Sequence, residues 1–239
     1  MSMHTKKIHY CWFGGPLPKQ EQAFIKEWQT AFPDYEVIHW NEDNIPRGHP
    51  YLESMLKNCQ WAFLADYVRL YALYHHGGIY FDTDIEVKQN FEHELQDDTS
   101  CLFGFESDET HRRCYVGTAV IAAKKQDPFI KIFMDQYDIG LAKRVLRKDH
   151  LTGPKLLTRL LQAKGLNRAT TQKIDGIKLL NRALMYPDQS SPYETEHCYT
   201  IHHEAGSWVL PSSTRSLKEK FFKKKRKLSD WFDNSFKSR

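Results

Sequence analysis

Residues 62–87, AFLADYVRLYALYHHGGIYFDTDIEV, contain the pattern that decides the fold of this chain. Apolar residues at helical spacing run up to a glycine pair at 77–78, which is typical of a helix end. The apolar residues 79–81 then read as a short strand that leads directly into Asp82 and Asp84. The stretch therefore predicts a helix, a turn, and a strand with two carboxylates at its carboxyl end.

Asp82 and Asp84 stand two residues apart, so both can reach outward where the chain turns. Two unpaired carboxylates repel each other, and a hard divalent cation such as Mg²⁺ or Mn²⁺ relieves that repulsion. The remaining coordination positions of such a cation are usually taken by substrate phosphates. On the preceding helix, Asp66 and Arg69 are three residues apart and lie on one face. A solvated acidic turn and a surface ion pair are the structural alternatives.

Strands alternate with helices on both sides of this stretch. Such alternation predicts an α/β fold with a mainly parallel sheet, in which ligands bind beyond the carboxyl ends of the strands. The predicted strands are 6–12, 35–40, 79–81, 85–87, 101–105, 118–123, 177–180 and 199–202, and the predicted helices are 18–31, 50–76, 128–137 and 154–164.

Length and composition favour a single globular domain with an appendage. The chain has 239 residues, of which 41% are apolar, and we expect one domain over residues 1–211 and a basic tail over residues 212–239. No stretch is as long and apolar as a membrane-spanning helix or a signal core. The five cysteines are an odd number without CxxC spacing, which predicts reduced thiols in a cytoplasmic protein.

The positive charge is concentrated in the tail. The whole chain has a net charge of +4, and residues 216–239 alone carry +6, so the remaining residues carry −2. A slightly acidic body argues against nucleic acid as a partner. Apolar residues at 217, 221, 228, 232 and 236 fall close to one helical face, with lysines around them. We expect an amphipathic helix on an anionic membrane surface. The alternative is a basic helix that is solvated or packed on the domain.

Three segments in this order resemble the glycosyltransferases that carry a DxD motif, which include capsular polysaccharide and yeast mannosyl enzymes. The segments are 8–15 (IHYCWFGG), 62–87, and 201–208 (IHHEAGSW). They are also similar to the catalytic domains of the large clostridial glucosylating toxins. The resemblance implies a GT-A-like, Rossmann-type fold and metal-dependent transfer of a sugar from a nucleotide-sugar, foremost a UDP-sugar. It also implies a glycan or lipid-linked acceptor, retention of anomeric configuration and a role in surface polysaccharide biosynthesis.

The resemblance assigns the donor-binding residues. It implies that Trp12 stacks on the nucleotide base and that Tyr80 lies at the donor. Asp66 and Arg69 would hold donor-sugar hydroxyls. Two further donor-binding residues, in the closing motif over the diphosphate, would be Ser207 and Trp208.

The resemblance also assigns the metal, Mn²⁺ or Mg²⁺. Asp84 would be a direct ligand, and Asp82 would contact the ribose and the metal or its water. A third ligand would come from His202 or His203. Because neighbouring strand residues face opposite sides, we expect only one of the two histidines to bind, and the spacing to the closing motif favours His203.

Two other classes of protein remain open. A haloacid-dehalogenase-like phosphatase also has a DxD after an apolar strand, but Glu86 stands where that family has Thr or Val, and a later GDxxxD motif is missing. A non-catalytic carbohydrate-binding protein would need the carboxylates to be structural. The loop at 151–154 (LTGP) also looks like a family loop before a helix, with Thr152 as a candidate cap.

Overall fold

A computed structural model of the chain describes residues 4–95, 98–107, 114–147 and 152–205, except for the side chains of residues 138–147. The chain to Glu204 forms one compact unit. The predicted domain boundary at residue 211 and the predicted amphipathic helix lie outside the described residues. No helix within the described ranges is long and apolar enough to span a bilayer.

Strands and helices alternate along this unit, as the sequence predicts. In chain order they are β1 (Lys7–Cys11), α1 (Lys19–Ala31), β2 (Glu36–Trp40), α2 (Pro50–Lys57), α3 (Trp61–His76), β3 (Gly78–Phe81), β4 (Ile85–Val87), β5 (Cys101–Phe105), β6 (Val116–Ala123), α4 (Pro128–Arg147), α5 (Gly153–Gln162), β7 (Gln172–Ile174), β8 (Ile177–Leu180), α6 (Arg182–Met185), α7 (Pro192–His197) and β9 (Thr200–His202). A 3₁₀ turn covers Glu92–Glu94.

The main sheet has seven strands in the order β2-β1-β3-β6-β5-β8-β7. Five of them run in one direction, and β6 and β7 run against it. This confirms the predicted α/β class with a mainly parallel sheet and flanking helices. Strands β4 and β9 form a separate antiparallel pair.

Alternate residues of the central strands pack into two core layers. Ile79 and Phe81 of β3 pack in one layer with Trp28 of α1, whereas Tyr80 packs in the other with Leu73 of α3. Every residue of β3 is buried, because both faces of the sheet are covered. The chain therefore leaves a fully buried strand at Asp82, whose side chain is 28% exposed.

The glycine pair before β3 brings this strand close to its neighbour. Gly77 and Gly78 have φ of +68° and +106°, and a Cβ on Gly78 would lie 2.3 Å from the carbonyl oxygen of Lys7 in β1. Beneath them, Nε2 of the buried His9 donates to the carbonyl of Gly77 over 2.9 Å, while Nε1 of Trp40 donates to Nδ1 of His9 over 3.2 Å. These contacts fix β3 beside β1, so their carboxyl ends lie at one edge of the sheet.

The predicted helix over residues 50–76 is broken into α2 and α3. The break at residues 58–60 contains Cys59 with φ of +51°, which a right-handed helix does not accommodate. The polar pair Asn58 and Gln60 interrupts the apolar stripe there. Three short elements, β7, α6 and α7, were not predicted, since each is too short to show a period.

Candidate active site

The DxD segment follows β3 at the edge of the main sheet. The backbone N–H of Asp82 donates to the carbonyl of Ala119 in β6 over 2.8 Å, and the chain then turns, with the N–H of Ile85 donating to the carbonyl of Asp82 over 3.1 Å. Asp84 is 7% exposed and buried in this turn. Both carboxylates therefore stand on well-anchored backbone.

The β4–β9 pair brings a histidine to these carboxylates. Ile85 lies opposite His202 in the register, and Nε2 of His202 is 3.3 Å from Oδ1 of Asp84. Asp82, Asp84 and His202 each offer one ligand atom, and the three atoms lie within 4.8 Å of one another. This cluster is the one group of three metal-ligating side chains found among the described residues.

The neighbouring His203 lies in different surroundings. Its Nε2 is 2.9 Å from Oε2 of Glu86, and its ring stacks on Phe24 of α1 with centroids 4.9 Å apart. The expectation that the two histidines face opposite sides agrees with this arrangement, but His202 stands beside the aspartates instead of the favoured His203. The reason is the register of the β4–β9 pair, which the spacing to the closing motif does not reveal.

The electrostatics of the cluster suit a cation. Burial raises the pKa of the Asp82 carboxyl, Arg69 opposes this effect, and the nearby Asp84 adds to it. Burial lowers the pKa of His202, but its hydrogen bond to Asp84 and the surrounding carboxylates outweigh this, so its pKa is raised. Two carboxylates and an imidazole in close proximity are ligands that a divalent cation such as Mn²⁺ accepts.

Arg69 is the main partner of the carboxylates on the helix side. Its Nη2 lies 3.2 Å from Oδ1 of Asp66 and 3.3 Å from Oδ1 of Asp82, and Nη1 lies 3.4 Å from Oδ2 of Asp82. Nη1 also donates to the carbonyl of Thr118, and Nε donates to the carbonyl of Ala65 over 3.2 Å. Each guanidinium nitrogen has an oxygen partner, and the side chain is buried. Arg69 therefore contacts both aspartates at 3.2–3.4 Å while its other donors are held by backbone carbonyls.

Tyr80 supports Asp82 from below. Its hydroxyl donates to Oδ1 of Asp82 over 2.8 Å, and the Arg69 guanidinium lies 4.8 Å from its ring centroid. Only 1% of Tyr80 is exposed, so its ring is covered by protein. Its contacts make Tyr80 a support for Asp82.

The loop at the start of α5 closes the far side of Asp66. A Cβ on Gly153 would lie 3.1 Å from Oδ1 of Asp66 and 3.1 Å from Oγ1 of Thr118. Thr152 stands at the helix cap position but makes no side-chain capping bond. The sequence did not predict that Gly153 lies against Asp66. The LTGP string at residues 151–154 was the feature that could have indicated it.

Trp12 lies at the carboxyl end of β1, on the same sheet edge. It is half-buried, and its Nε1 donates to the carbonyl of Gly15 over 3.0 Å. Gly14, which follows closely in the chain, packs against a second tryptophan. A side chain added at Gly14 would place its Cβ 2.5 Å from Nε1 of Trp61. The remaining predicted donor-binding residues, Ser207 and Trp208, lie outside the described residues.

A mainly parallel α/β sheet with a DxD segment at the end of a central strand is the architecture of the GT-A fold. Residues 18–101 match the family model described as "Glycosyltransferase sugar-binding region containing DXD motif". The similarity to this family therefore lies in the region that contains the DxD segment.

Two of the similar proteins are named as a mannosyltransferase and as a glycosyltransferase. The chain is 32% identical over 95 residues to inositol phosphoceramide mannosyltransferase 2 of Schizosaccharomyces pombe, and this match covers 36% of the chain and 27% of that protein. The match thus spans about a quarter of that relative's length. An uncharacterized glycosyltransferase of Acanthamoeba polyphaga mimivirus is 25% identical over 218 residues, covering 84% of the chain and 82% of that protein.

A solved structure supports the fold. The structure titled PaToxG Glycosyltransferase superposes with a TM-score of 0.54 at 18% identity, covering 68% of this chain and 70% of that one. The predicted GT-A-like architecture is therefore confirmed.

Proposed function

We propose that this protein transfers a sugar from a nucleotide-sugar to an acceptor, with Asp82, Asp84 and His202 holding a divalent cation. The observation that carries the proposal is the meeting of these three side chains, each with a ligand atom within 4.8 Å of the others, at the carboxyl end of β3. A bound cation would offset the negative charge that develops on the leaving diphosphate. Imidazole beside two carboxylates favours Mn²⁺ over Mg²⁺, which binds almost exclusively through oxygen.

The residues around the cluster would position the donor. Asp66 retains 14% exposure of its side chain, so its carboxylate can accept bonds from donor-sugar hydroxyls in front of Gly153. Arg69 would act mainly by orienting Asp66 and Asp82, because its nitrogens are already engaged. Trp12 would stack on the base, and Ser207 and Trp208 would cover the phosphates. We propose retention of the anomeric configuration on the strength of the family resemblance.

The experiment is a donor screen with the purified full-length chain. UDP-glucose, UDP-galactose, UDP-N-acetylhexosamine and GDP-mannose are each incubated with Mn²⁺ or Mg²⁺, and the released nucleoside diphosphate is measured. We expect metal-dependent release from a UDP-sugar, highest with Mn²⁺, and loss of this release in Asp84→Asn.

The same screen distinguishes the alternatives. Free phosphate from phosphomonoesters, with no nucleoside diphosphate, would favour the phosphatase. Sugar binding without release of either product would favour the carbohydrate-binding protein. Release that is equal with and without a chelator would refute the metal site.

We further propose a glycan or lipid-linked acceptor in surface polysaccharide biosynthesis, and a cytoplasmic protein bound peripherally to the membrane. The net charge of +6 on residues 216–239 supports attraction to an anionic bilayer. The relative named inositol phosphoceramide mannosyltransferase acts, by its name, on a lipid. Both points favour an acceptor at a membrane surface.

A further inference from the structure

The side chain of His203 and the carboxylate of Glu86 join the two strands that support the proposed metal cluster. Strand β4 begins directly after Asp84, and β9 ends at His202. The pairing has only three residue pairs, with Ile85 opposite His202. A two-stranded pair this short is marginally stable by itself, so its register depends on side chains around it.

Three contacts of His203 supply this support. Its backbone N–H donates to the carbonyl of Asp84 over 3.0 Å, which continues the ladder by one residue. Its Nε2 lies 2.9 Å from Oε2 of Glu86, and its ring stacks on Phe24 at an angle of 14°. The other oxygen of Glu86, Oε1, lies 3.0 Å from Nζ of Lys88, whose side chain is 40% exposed. The chain beyond His202 is thereby fixed to β4 and to α1.

These contacts determine where His202 stands. Nε2 of His202 in β9 lies 3.3 Å from Oδ1 of Asp84, which directly precedes β4. This distance therefore depends on how the two strands are held together. We infer that His203 and Glu86 are positioning residues, which hold His202 at the distance from Asp84 that a bound cation needs. The inference rests on the proposed metal site.

The experiment measures Mn²⁺ affinity by isothermal titration calorimetry on the full-length chain, without donor. Partners that orient metal ligands typically contribute about 10–100-fold in metal affinity. We expect Glu86→Gln and His203→Ala each to weaken Mn²⁺ binding by about tenfold or more. His203→Gln should restore most of the affinity, because its side-chain amide can still donate to Glu86.

Lys88→Ala is the matched control, since it removes the other partner of Glu86 but does not touch His203. We expect it to change Mn²⁺ affinity by less than about twofold. A urea unfolding curve of each metal-free variant shows whether that variant is folded. If His203→Ala fails to fold, Glu86→Gln carries the same test.

The outcomes separate the inference from the proposed function. If wild type binds Mn²⁺ and His202→Ala loses it, while Glu86→Gln and His203→Ala stay within twofold of wild type, the positioning inference is overturned and the metal site stands. If His203→Ala and His203→Gln both abolish binding while His202→Ala does not, His203 is itself the ligand and the inference is wrong. Absence of Mn²⁺ binding in wild type would overturn the metal site and the inference with it.

Discussion

Replacing Arg69 with lysine keeps the charge and removes the geometry that holds the two aspartates. The guanidinium contacts Asp66, Asp82 and two backbone carbonyls through three nitrogens, and the side chain is 6% exposed. A lysine presents its donors from one atom and cannot reach all four partners. The guanidinium contacts that a lysine does not replace would each cost about 1–3 kcal/mol. We therefore expect Arg69→Lys to lower the free energy of unfolding by about 2–5 kcal/mol and to reduce donor turnover.

The assay is urea unfolding followed by tryptophan fluorescence, alongside nucleoside diphosphate release from the preferred donor. Arg182→Lys is the matched control, since Arg182 pairs with Glu194 over 3.1 Å at a position where both side chains are partly exposed. A partly exposed pair of this kind contributes about 0–1 kcal/mol, so the control should lose little stability. If Arg69→Lys is as stable and as active as Arg182→Lys, the directed contacts of the guanidinium do not hold the site together.

Four further predictions test other parts of the molecule. Asp84→Asn should reduce transfer by more than about 10²-fold and abolish metal-dependent donor binding with little change in unfolding; a folded variant within threefold of wild type would contradict the metal assignment. Trp12→Ala should weaken nucleotide binding by about 1–3 kcal/mol, measured by calorimetry with UDP, and unfolding of the variant would instead show that Trp12 is a core residue. Burial lowers the pKa of His9 to about 4 from an ordinary value of 6.5, so the folded state binds fewer protons than the unfolded state between these values. The contribution of His9 to stability is thus complete above about pH 6.5 and is lost as the pH falls toward 4, by about 3 kcal/mol in total; urea unfolding at several pH values should show a shallower acid dependence in His9→Gln, and identical slopes would refute it. Truncation after Pro211 should abolish sedimentation with anionic vesicles at low salt and preserve metal-dependent donor release, and equal sedimentation of both forms would argue against a membrane-binding tail.

Local patterns were sufficient for every described strand except β7, and for the DxD segment. Strand β5 has the predicted bounds, and β3 differs by one residue, because a short apolar run between turn residues is a strong local signal. The identity of the third metal-cluster residue was not accessible in the same way. It depends on which residue of β9 pairs with Ile85, and this pairing joins segments more than one hundred residues apart.

The role of Arg69 was likewise hidden in tertiary structure. Its spacing from Asp66 predicts an i,i+3 pair, which the structure confirms at 3.2 Å. Its further contacts with Asp82 and with the carbonyl of Thr118 arise only when α3 packs against β3 and β6. No local pattern could show that its nitrogens are engaged by protein before a donor binds.

The glycine pair and the DxD segment stand at opposite ends of the same four-residue strand, and this separation divides the motif into two kinds of sensitivity. A side chain at Gly78 would push into the Lys7 carbonyl at 2.3 Å, so a change there disturbs the seam between two strands. A change at Asp82 leaves that seam intact and acts on the carboxylate cluster at the rim. A saturation library across residues 77–84 could be scored separately for cellular abundance and for turnover. We expect substitutions at the glycine end to lower abundance and substitutions at the DxD end to lower turnover.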